Sequence, residues 1–511
     1  MTAQPQDLTV ADLGTVHLVG IGGAGMSVVA QLLAARGATV QGTDARRSAV
    51  TDALVASGID VEVGHSAEHV AGAQTLVVSS AVREDNPELV AARAAGLRVL
   101  HRSQALALLM TGTRAVAVAG AHGKTTTSAM TAVVLREAGL DPSFAIGGSV
   151  LTEAGTVSGG HSGTGDVLVA EADESDGSFL AYRPTVAVVT NVEPDHLDHY
   201  GSREAFEQAF LDFAGNIVQE GCLVACADDA GAAELARRHA AAGGEVLTYG
   251  TAPGATAVLS GYRVEADGTS AFELTLPGAD APTTAADGAE GRGLTVRLRA
   301  PGLHNALNAS AALLVAVRLG VDPGAAVAAV WAFRGTGRRY ESRGTVGGVE
   351  VVDDYAHHPT EVAALLRAAR ALVGTGSLRV LFQPHLFSRT RIFAEEFATA
   401  LDLADDVVVC DVYAAREDPD PAVGPHLVVD RMSGRGRVVL DRVEAATSLA
   451  AAAEPGDLVL TVGAGDVTEM GAVVLDVLRQ RVAEGTLPDE PAGSAAAPAP
   501  HHGTLPAEGA V

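Results

Sequence analysis

Lysine is nearly absent from this chain: Lys124 is alone among 511 residues, and the other 34 of the 35 basic residues are arginine. Basic charge is scarce altogether, with 62 acidic residues and a formal net charge of −27, which excludes the extended positive footprint that nucleic-acid binding requires. The expected ligands are small anions held in local basic pockets. Long apolar runs are missing too. No uninterrupted stretch approaches the roughly 18 residues of a membrane span. The start MTAQPQDLTVADLG lacks the charged head and apolar centre of a secretory signal, so a soluble cytoplasmic protein is expected. Three cysteines, Cys222, Cys226 and Cys410, give neither a disulfide framework nor metal-ligand spacing, and buried thiols are expected. Hydrophobic residues make up 48% and charged ones 19%, enough to bury sizeable cores. A chain of this length is expected to hold about three domains.

The single lysine stands in AVAVAGAHGKTTT, which ends at Thr127. Apolar alternation at Val116 and Val118 leads into Gly120, and Gly123, Lys124, Thr125 and Thr126 open a helical pattern, so the stretch reads as strand, glycine turn and helix N-terminus. That combination cradles phosphate: turn amides and the positive helix end face the anion, the lysine reaches the outer phosphates, and a threonine hydroxyl can hold Mg²⁺. The common P-loop spacing would put its first glycine at Val118, so the loop here is the shorter G-x-x-G-K-T. Arginine, a rigid planar fork, cannot replace a compact ammonium at a crowded phosphate. Lys124 is therefore read as functional.

Upstream, an apolar run at 15–21 enters Gly20-Ile21-Gly22-Gly23-Ala24-Gly25, which matches G-x-G-x-x-G, and Asp44 ends the next strand. The pattern seats a pyrophosphate on a helix end; NAD, FAD and a UDP-sugar all carry one. Further strands at 75–80 and 98–100 fit an open parallel sheet ending near 110–113. In the next unit a strand at 166–170 runs into Glu171-Ala172-Asp173-Glu174-Ser175-Asp176, four carboxylates placed to bind Mg²⁺ directly or through water. A strand at 185–190 runs into a polar cluster at 191–200. Residues 253–300 read as a β-hairpin insertion around a loop at 277–293, and 301–308 starts a helix. In the last unit four strands end in polar clusters, at 353–358, 383–385, 411–418 and 463–466, defining one rim of a sheet that faces a ligand. After Glu484 the Pro/Ala/Gly-rich tail reads as disordered.

Taken together, HLVGIGGAGMS (17–27), GAHGKTTT (120–127), EADESDGSFL (171–180), TNVEPDHLDHY (190–200), PGLHNALNA (301–309), FRGTGRRYE (333–341), DDYAHHPTE (353–361), QPHLFSRT (383–390) and GAGD (463–466) resemble the Mur ligases. These are the ATP-dependent amide-forming enzymes of peptidoglycan precursor synthesis. GIGGAGMS together with DDYAHHPTE resembles the member that adds L-alanine to UDP-N-acetylmuramate. The resemblance implies an α/β fold of three domains. Residues 1–112 would form a Rossmann-like UDP-sugar-binding domain, 113–336 a P-loop-type central ATPase domain with the β-hairpin insertion, and 337–484 a Rossmann-like domain for amino acid and nucleotide. Residues 485–511 would be the disordered tail, and the protein a monomer or homodimer.

By the same resemblance, Gly22, Gly23, Ala24, Gly25, Met26, Ser27, Asp44 and Ser80 would hold the UDP-sugar. Gly120, Ala121, His122, Gly123, Lys124, Thr125, Thr126, Asn305, Arg338 and Asp353 or Asp354 would hold ATP. Thr125, Glu171 and His196 would surround Mg²⁺, and Lys124, Glu171, His196 and Arg339 would carry the catalysis. Tyr355, His357, His385 and Arg389 would hold the amino acid. Three departures stand out: Ala121 replaces the family's usual Thr, Leu386 stands where some relatives have Arg, and no lysine remains for the carbamylated lysine of sibling ligases.

Overall fold

The structure is a computed structural model. It describes residues 8–489, apart from 154, 195, 196, 266, 267, 278–282, 285–289, 292 and 416. His196 and most of the tail lie outside the described residues. The chain forms two compact units, Met1–Val264 with Thr269–Glu341, and Glu265–Gly268 with Ser342–Val511.

Two large sheets organise the first unit, which also holds one sheet of three strands and one of two. In the first, five parallel strands run in the order Asp60–Val63, Thr39–Asp44, Thr15–Val19, Thr75–Val78, Arg98–His101. Chain order therefore reverses on either side of Thr15–Val19, the switch point where such sheets bind ligands beyond their strand ends. Helices start with local caps: Ser48 Oγ accepts from Thr51 N at 3.3 Å at the head of Ala49–Ala56, and Asn86 Oδ1 caps Pro87–Ala94 with proline in its first turn.

The second sheet has ten strands, with Arg114–Ala119 between Val167–Glu171 and Val186–Val189. Ala115, Val116, Ala117, Val118 and Ala119 are all inaccessible to solvent. The run is continuously apolar because a central parallel strand is covered on both faces. Cys222–Cys226 and Glu245–Gly250 extend the sheet in parallel. Ala257–Val264 then joins in parallel, and Ser270–Thr275 and Leu294–Leu298 add to it antiparallel as the edge. The expected hairpin insertion is thus a continuation of the main sheet, its apolar alternation facing the common core; most of the loop expected at 277–293 lies outside the described residues. Helices Lys124–Glu137 and Leu303–Arg318 pack on each other, with small residues such as Ala129, Ala132, Ala309 and Ala312 buried. One continuous core, including Met26, Val28, Phe144 and Val169, joins both sheets.

In the second unit six strands run Glu341–Val346, Val349–Asp354, Leu458–Val462, Leu378–Phe382, Asp406–Val409, Gly436–Val438. From Val349–Asp354 to Gly436–Val438 the pairing is parallel. The first residues after Glu484 pack on this unit. Leu487 is only 4% exposed and joins a core with Val349 and Leu478, while Thr486 and Leu487 donate backbone hydrogen bonds to Arg481 O. A lone leucine in a small-residue tail still buries its side chain where a pocket is offered. The three cysteines are free and buried, and burial pushes the Cys222 thiol up to about 11 and the Cys410 thiol up to about 12. Among the described residues no helix is long and apolar enough to cross a membrane.

Candidate active site

The glycine turn after Arg114–Ala119 is held from the neighbouring strand. Gly120 has φ +133°, and a Cβ there would collide with Thr190 Oγ1 and lie 3.0 Å from Asn191 N, so only glycine fits. Gly123 has φ +81° and caps the 14-residue helix Lys124–Glu137; a Cβ there would sit 2.7 Å from Asn308 Oδ1. Thr190 Oγ1 donates to His122 O at 2.5 Å, Asn191 Nδ2 donates to the same oxygen at 3.0 Å, and His122 N donates to Asn191 Oδ1 at 2.9 Å. The result is a fixed turn at a helix N-terminus, a seat for an anion.

Lys124 Nζ donates to Gly120 O at 2.7 Å, to Glu174 Oε1 at 2.9 Å and to Ala121 O at 3.3 Å. Burial works against this ammonium, but the carboxylates of Glu174, Asp173 and Glu171 hold its pKa above the ordinary value. Glu174 is fully buried; burial pushes its carboxyl up, and the Lys124 ammonium beside it opposes the shift. Beside the lysine, Thr125 Oγ1 donates to Glu171 Oε1 at 3.1 Å and Gly147 N to Glu171 Oε2 at 2.8 Å. A hydroxyl and an oriented carboxylate thus stand together at the helix start.

The four carboxylates expected to act as a group are divided. Glu171 and Glu174 face the phosphate turn. Asp173 accepts from Ser175 N at 3.0 Å, and Asp176 accepts from Ser178 N at 3.0 Å and from the Ser80 hydroxyl, so these two shape the turn and tie it to the first sheet. Asn305 is 8% exposed and donates to Pro301 O at 2.7 Å, while its neighbour Asn308 lies against Gly123. Arg338 N donates to Glu341 Oε2 at 2.8 Å and Arg339 N to Thr336 O at 3.1 Å.

At the switch point of the first sheet, Gly22 N donates to Asp44 Oδ2 at 2.9 Å, and helix Ala24–Ala35 follows. A cavity of about 540 Å³ opens there, lined by Gly20, Gly23, Met26, Asp44, His65 and Asn86. Ser27 is buried on the same helix. A Cβ on Gly25 would collide with the Arg102 guanidinium, which places a cation at this helix start. Ser80 turns to Asp176 and to His101 Nε2, at 3.2 Å from the latter. Next to the cavity, fully buried Glu88 accepts from Thr43 Oγ1 at 2.7 Å and meets His17 Nε2 and His65 Nδ1, each at 3.2 Å.

In the second unit the strand-end rim gathers the four residues expected around the amino acid. Tyr355 and His357 rings lie 5.3 Å apart, His357 and His385 5.6 Å, and Arg389 Nη1 is 3.3 Å from His385 Nδ1. Arg389 is only 4% exposed, so it is no solvated surface arginine. Asp353 is buried and accepts from Thr461 Oγ1 at 2.6 Å and Thr468 Oγ1 at 2.8 Å; Asp354 accepts from Ala356 N at 2.7 Å.

Sequence reasoning singled out none of three further residues, though Glu174 and Tyr413 lay inside clusters it named. Glu174 was indistinguishable from its acidic neighbours, because only burial sets it apart. Arg102 and Tyr413, whose ring stacks 5.8 Å from His385, follow strands Arg98–His101 and Asp406–Val409, and the rule that ligand groups gather at strand ends could have found both.

Three family descriptions match in succession: "Mur ligase family, catalytic domain" over residues 15–114, "Mur ligase middle domain" over 118–316, and "Mur ligase, glutamate ligase domain" over 338–465. The UDP-N-acetylmuramate–L-alanine ligase of Kineococcus radiotolerans is 55% identical over 478 residues, covering 92% of this chain and 98% of that protein. The enzyme of the same description from Paenarthrobacter aurescens is 54% identical, covering 91% and 97%. Among solved structures, the UDP-N-acetylmuramate–alanine ligase of Thermotoga maritima matches with a TM-score of 0.72 at 30% identity, covering 91% of this chain and 99% of that one. A murein peptide ligase from Psychrobacter arcticus matches with a TM-score of 0.65 at 25% identity, covering 91% and 98%. With three family descriptions matched in succession over most of its length and relatives more than half identical along nine-tenths of it, the chain belongs to the Mur ligase family.

Proposed function

We propose that the protein is an ATP-dependent ligase that joins L-alanine to the lactyl carboxylate of UDP-N-acetylmuramate, releasing ADP and phosphate, in cytoplasmic synthesis of peptidoglycan precursors. The observation that carries the reading is the only lysine of the chain, fixed at a glycine turn and helix N-terminus beside Glu171 and Glu174. The choice of sugar nucleotide and amino acid is supported by the likeness to the alanine ligases named above. We read residues 1–112, 113–336 and 337–484 as the sugar-nucleotide, ATP and amino-acid domains of this enzyme.

A carboxylate is a poor acyl donor because oxide would have to leave. Its oxygen therefore attacks the γ-phosphorus of ATP, ADP departs, and an acyl phosphate forms. The neutral amine of L-alanine then attacks the acyl carbon, and phosphate leaves from the tetrahedral intermediate. Phosphoryl transfer is mostly positioning and charge neutralisation, which the turn amides, Lys124 and an arginine, Arg338 or Arg339, supply. Thr125 and Glu171 offer the hard oxygen donors that Mg²⁺ takes, and we assign them to it, with His196 as a third ligand carried over from the resemblance. When bound, Mg²⁺ supplies positive charge to the phosphate oxygens. Residues 22–27, Asp44 and Ser80 bind the sugar nucleotide in our reading, with the Arg102 guanidinium near its pyrophosphate. Arg389 offers the planar fork that an α-carboxylate accepts in two bonds, and Tyr355, His357 and His385 wall the same pocket.

The likeness to a murein peptide ligase gives a second reading, in which a whole peptide rather than alanine is the amine substrate. One assay separates them: ADP and phosphate release with ATP, UDP-N-acetylmuramate and either L-alanine or an intact tripeptide, omitting each substrate in turn. Release dependent on all three substrates, and faster with L-alanine, supports the proposal. Faster turnover of the tripeptide replaces it, and ADP release indifferent to both amines removes the ligase reading.

A further inference from the structure

We infer that Glu174 is a positioning residue that competes with the nucleotide's phosphate for the Lys124 ammonium. The inference rests on reading the glycine turn as the ATP site. An ammonium has three protons, and here the three acceptors are Gly120 O, Ala121 O and Glu174 Oε1, at 2.7, 3.3 and 2.9 Å. The lysine thus faces inward, toward its own loop. A phosphate oxygen that enters the turn must take a proton that one of these acceptors holds. Of the three, only Glu174 carries a charge.

Glu174 is itself fully buried. Its Oε2 also lies 2.9 Å from Nζ, so both carboxylate oxygens face the one ammonium. A buried carboxylate is costly unless a cation stays close, so Glu174 holds Lys124 docked whenever the turn has no anion in it. It also places a negative charge beside the seat of a polyanion, which disfavours the ground-state complex. When phosphate departs, the carboxylate takes the lysine back. Glu174 therefore keeps the only lysine ordered and limits how tightly nucleotide is held.

The test compares the full-length wild type with Glu174→Gln and Glu174→Asp by calorimetric titration with ADP and with inorganic phosphate, and by steady-state kinetics in ATP. Glu174→Gln should bind ADP and phosphate on the order of tenfold more tightly, because a like charge has been removed from the seat. KM for ATP should fall and kcat should fall with it, since the added binding is to the ground state. Glu174→Asp keeps the charge and should return ADP affinity toward the wild-type value. Folded Glu174→Gln protein that binds ADP no more tightly than wild type overturns the inference. A wild type that binds neither ADP nor ATP overturns the nucleotide reading beneath it instead. Should Glu174→Gln not fold, Lys124→Met and the double variant Lys124→Met/Glu174→Gln are compared by thermal unfolding. The double variant should melt higher, because Lys124→Met alone strands the carboxylate; a double variant melting at or below the single one also overturns the inference.

Discussion

Replacing Glu88 by glutamine should flatten the acid side of the stability curve. Glu88 projects from helix Pro87–Ala94 into a fully buried position. Burial opposes its charge, but hydrogen bonds from His17, Thr43 and His65 outweigh that and hold the carboxyl down at about 2, against an ordinary value of 4.5. A carboxyl with a depressed folded-state pKa contributes stability that is fully present above its unfolded value and is lost as the pH falls through the folded one. The window here runs from about 4.5 down to about 2. A gap of that size corresponds to about 3 kcal/mol at most. Because His65 also lines the cavity, solvent screening reduces this to about 1–2 kcal/mol. Urea unfolding followed by far-UV circular dichroism, at pH values from about 7 to about 3, gives the stability gap between wild type and Glu88→Gln. The gap should be widest at neutral pH and narrow as acid is added. A gap constant with pH would refute the reasoning, and would mean that the carboxylate is not held by these partners.

Three further outcomes are expected. Lys124→Met should lower phosphoryl transfer by about 10²-fold or more, measured as ADP release per folded protein; near-wild-type turnover would remove the lysine from the reaction. Arg389→Ala should raise KM for L-alanine by about 30-fold or more, the equivalent of about 2–5 kcal/mol for a buried charge-assisted pair, while KM for ATP and for the sugar nucleotide barely change. Equal rises in all three KM values would point to a structural role. Activity should not respond to bicarbonate depletion at constant pH, because Lys124 is the only lysine and is engaged with Glu174; reversible loss on depletion would contradict this.

The strand, turn and helix around Lys124 were legible because each local signal agreed: a continuously apolar strand, glycines where φ is positive, and a lysine left in place by a composition that removed every other. The clamp on that turn was not. Thr190 and Asn191 reach His122 only because Val186–Val189 neighbours Arg114–Ala119 in the sheet, and strand order cannot be read from periodicity. The strand-end rule made the clusters that hold Tyr355, His357 and His385 legible; the choice of these residues and of Arg389 came from the family resemblance, and the burial of Arg389 from packing. Short strands such as Ser143–Ala145 and Gly436–Val438, three residues each, are too brief to show a period. Leu487 was hidden by its surroundings, since a tail of small residues and prolines gives no sign that one side chain enters a core.

The most direct test of the account follows an oxygen atom. UDP-N-acetylmuramate carrying ¹⁸O in its lactyl carboxylate is incubated with ATP, L-alanine and the enzyme, and the released phosphate is analysed by mass spectrometry. If the carboxylate attacks the γ-phosphorus, its oxygen becomes the bridge of the acyl phosphate and leaves with phosphate when the amine attacks. The account predicts one labelled oxygen transferred to phosphate for each amide formed. Amide formed together with unlabelled phosphate would contradict it.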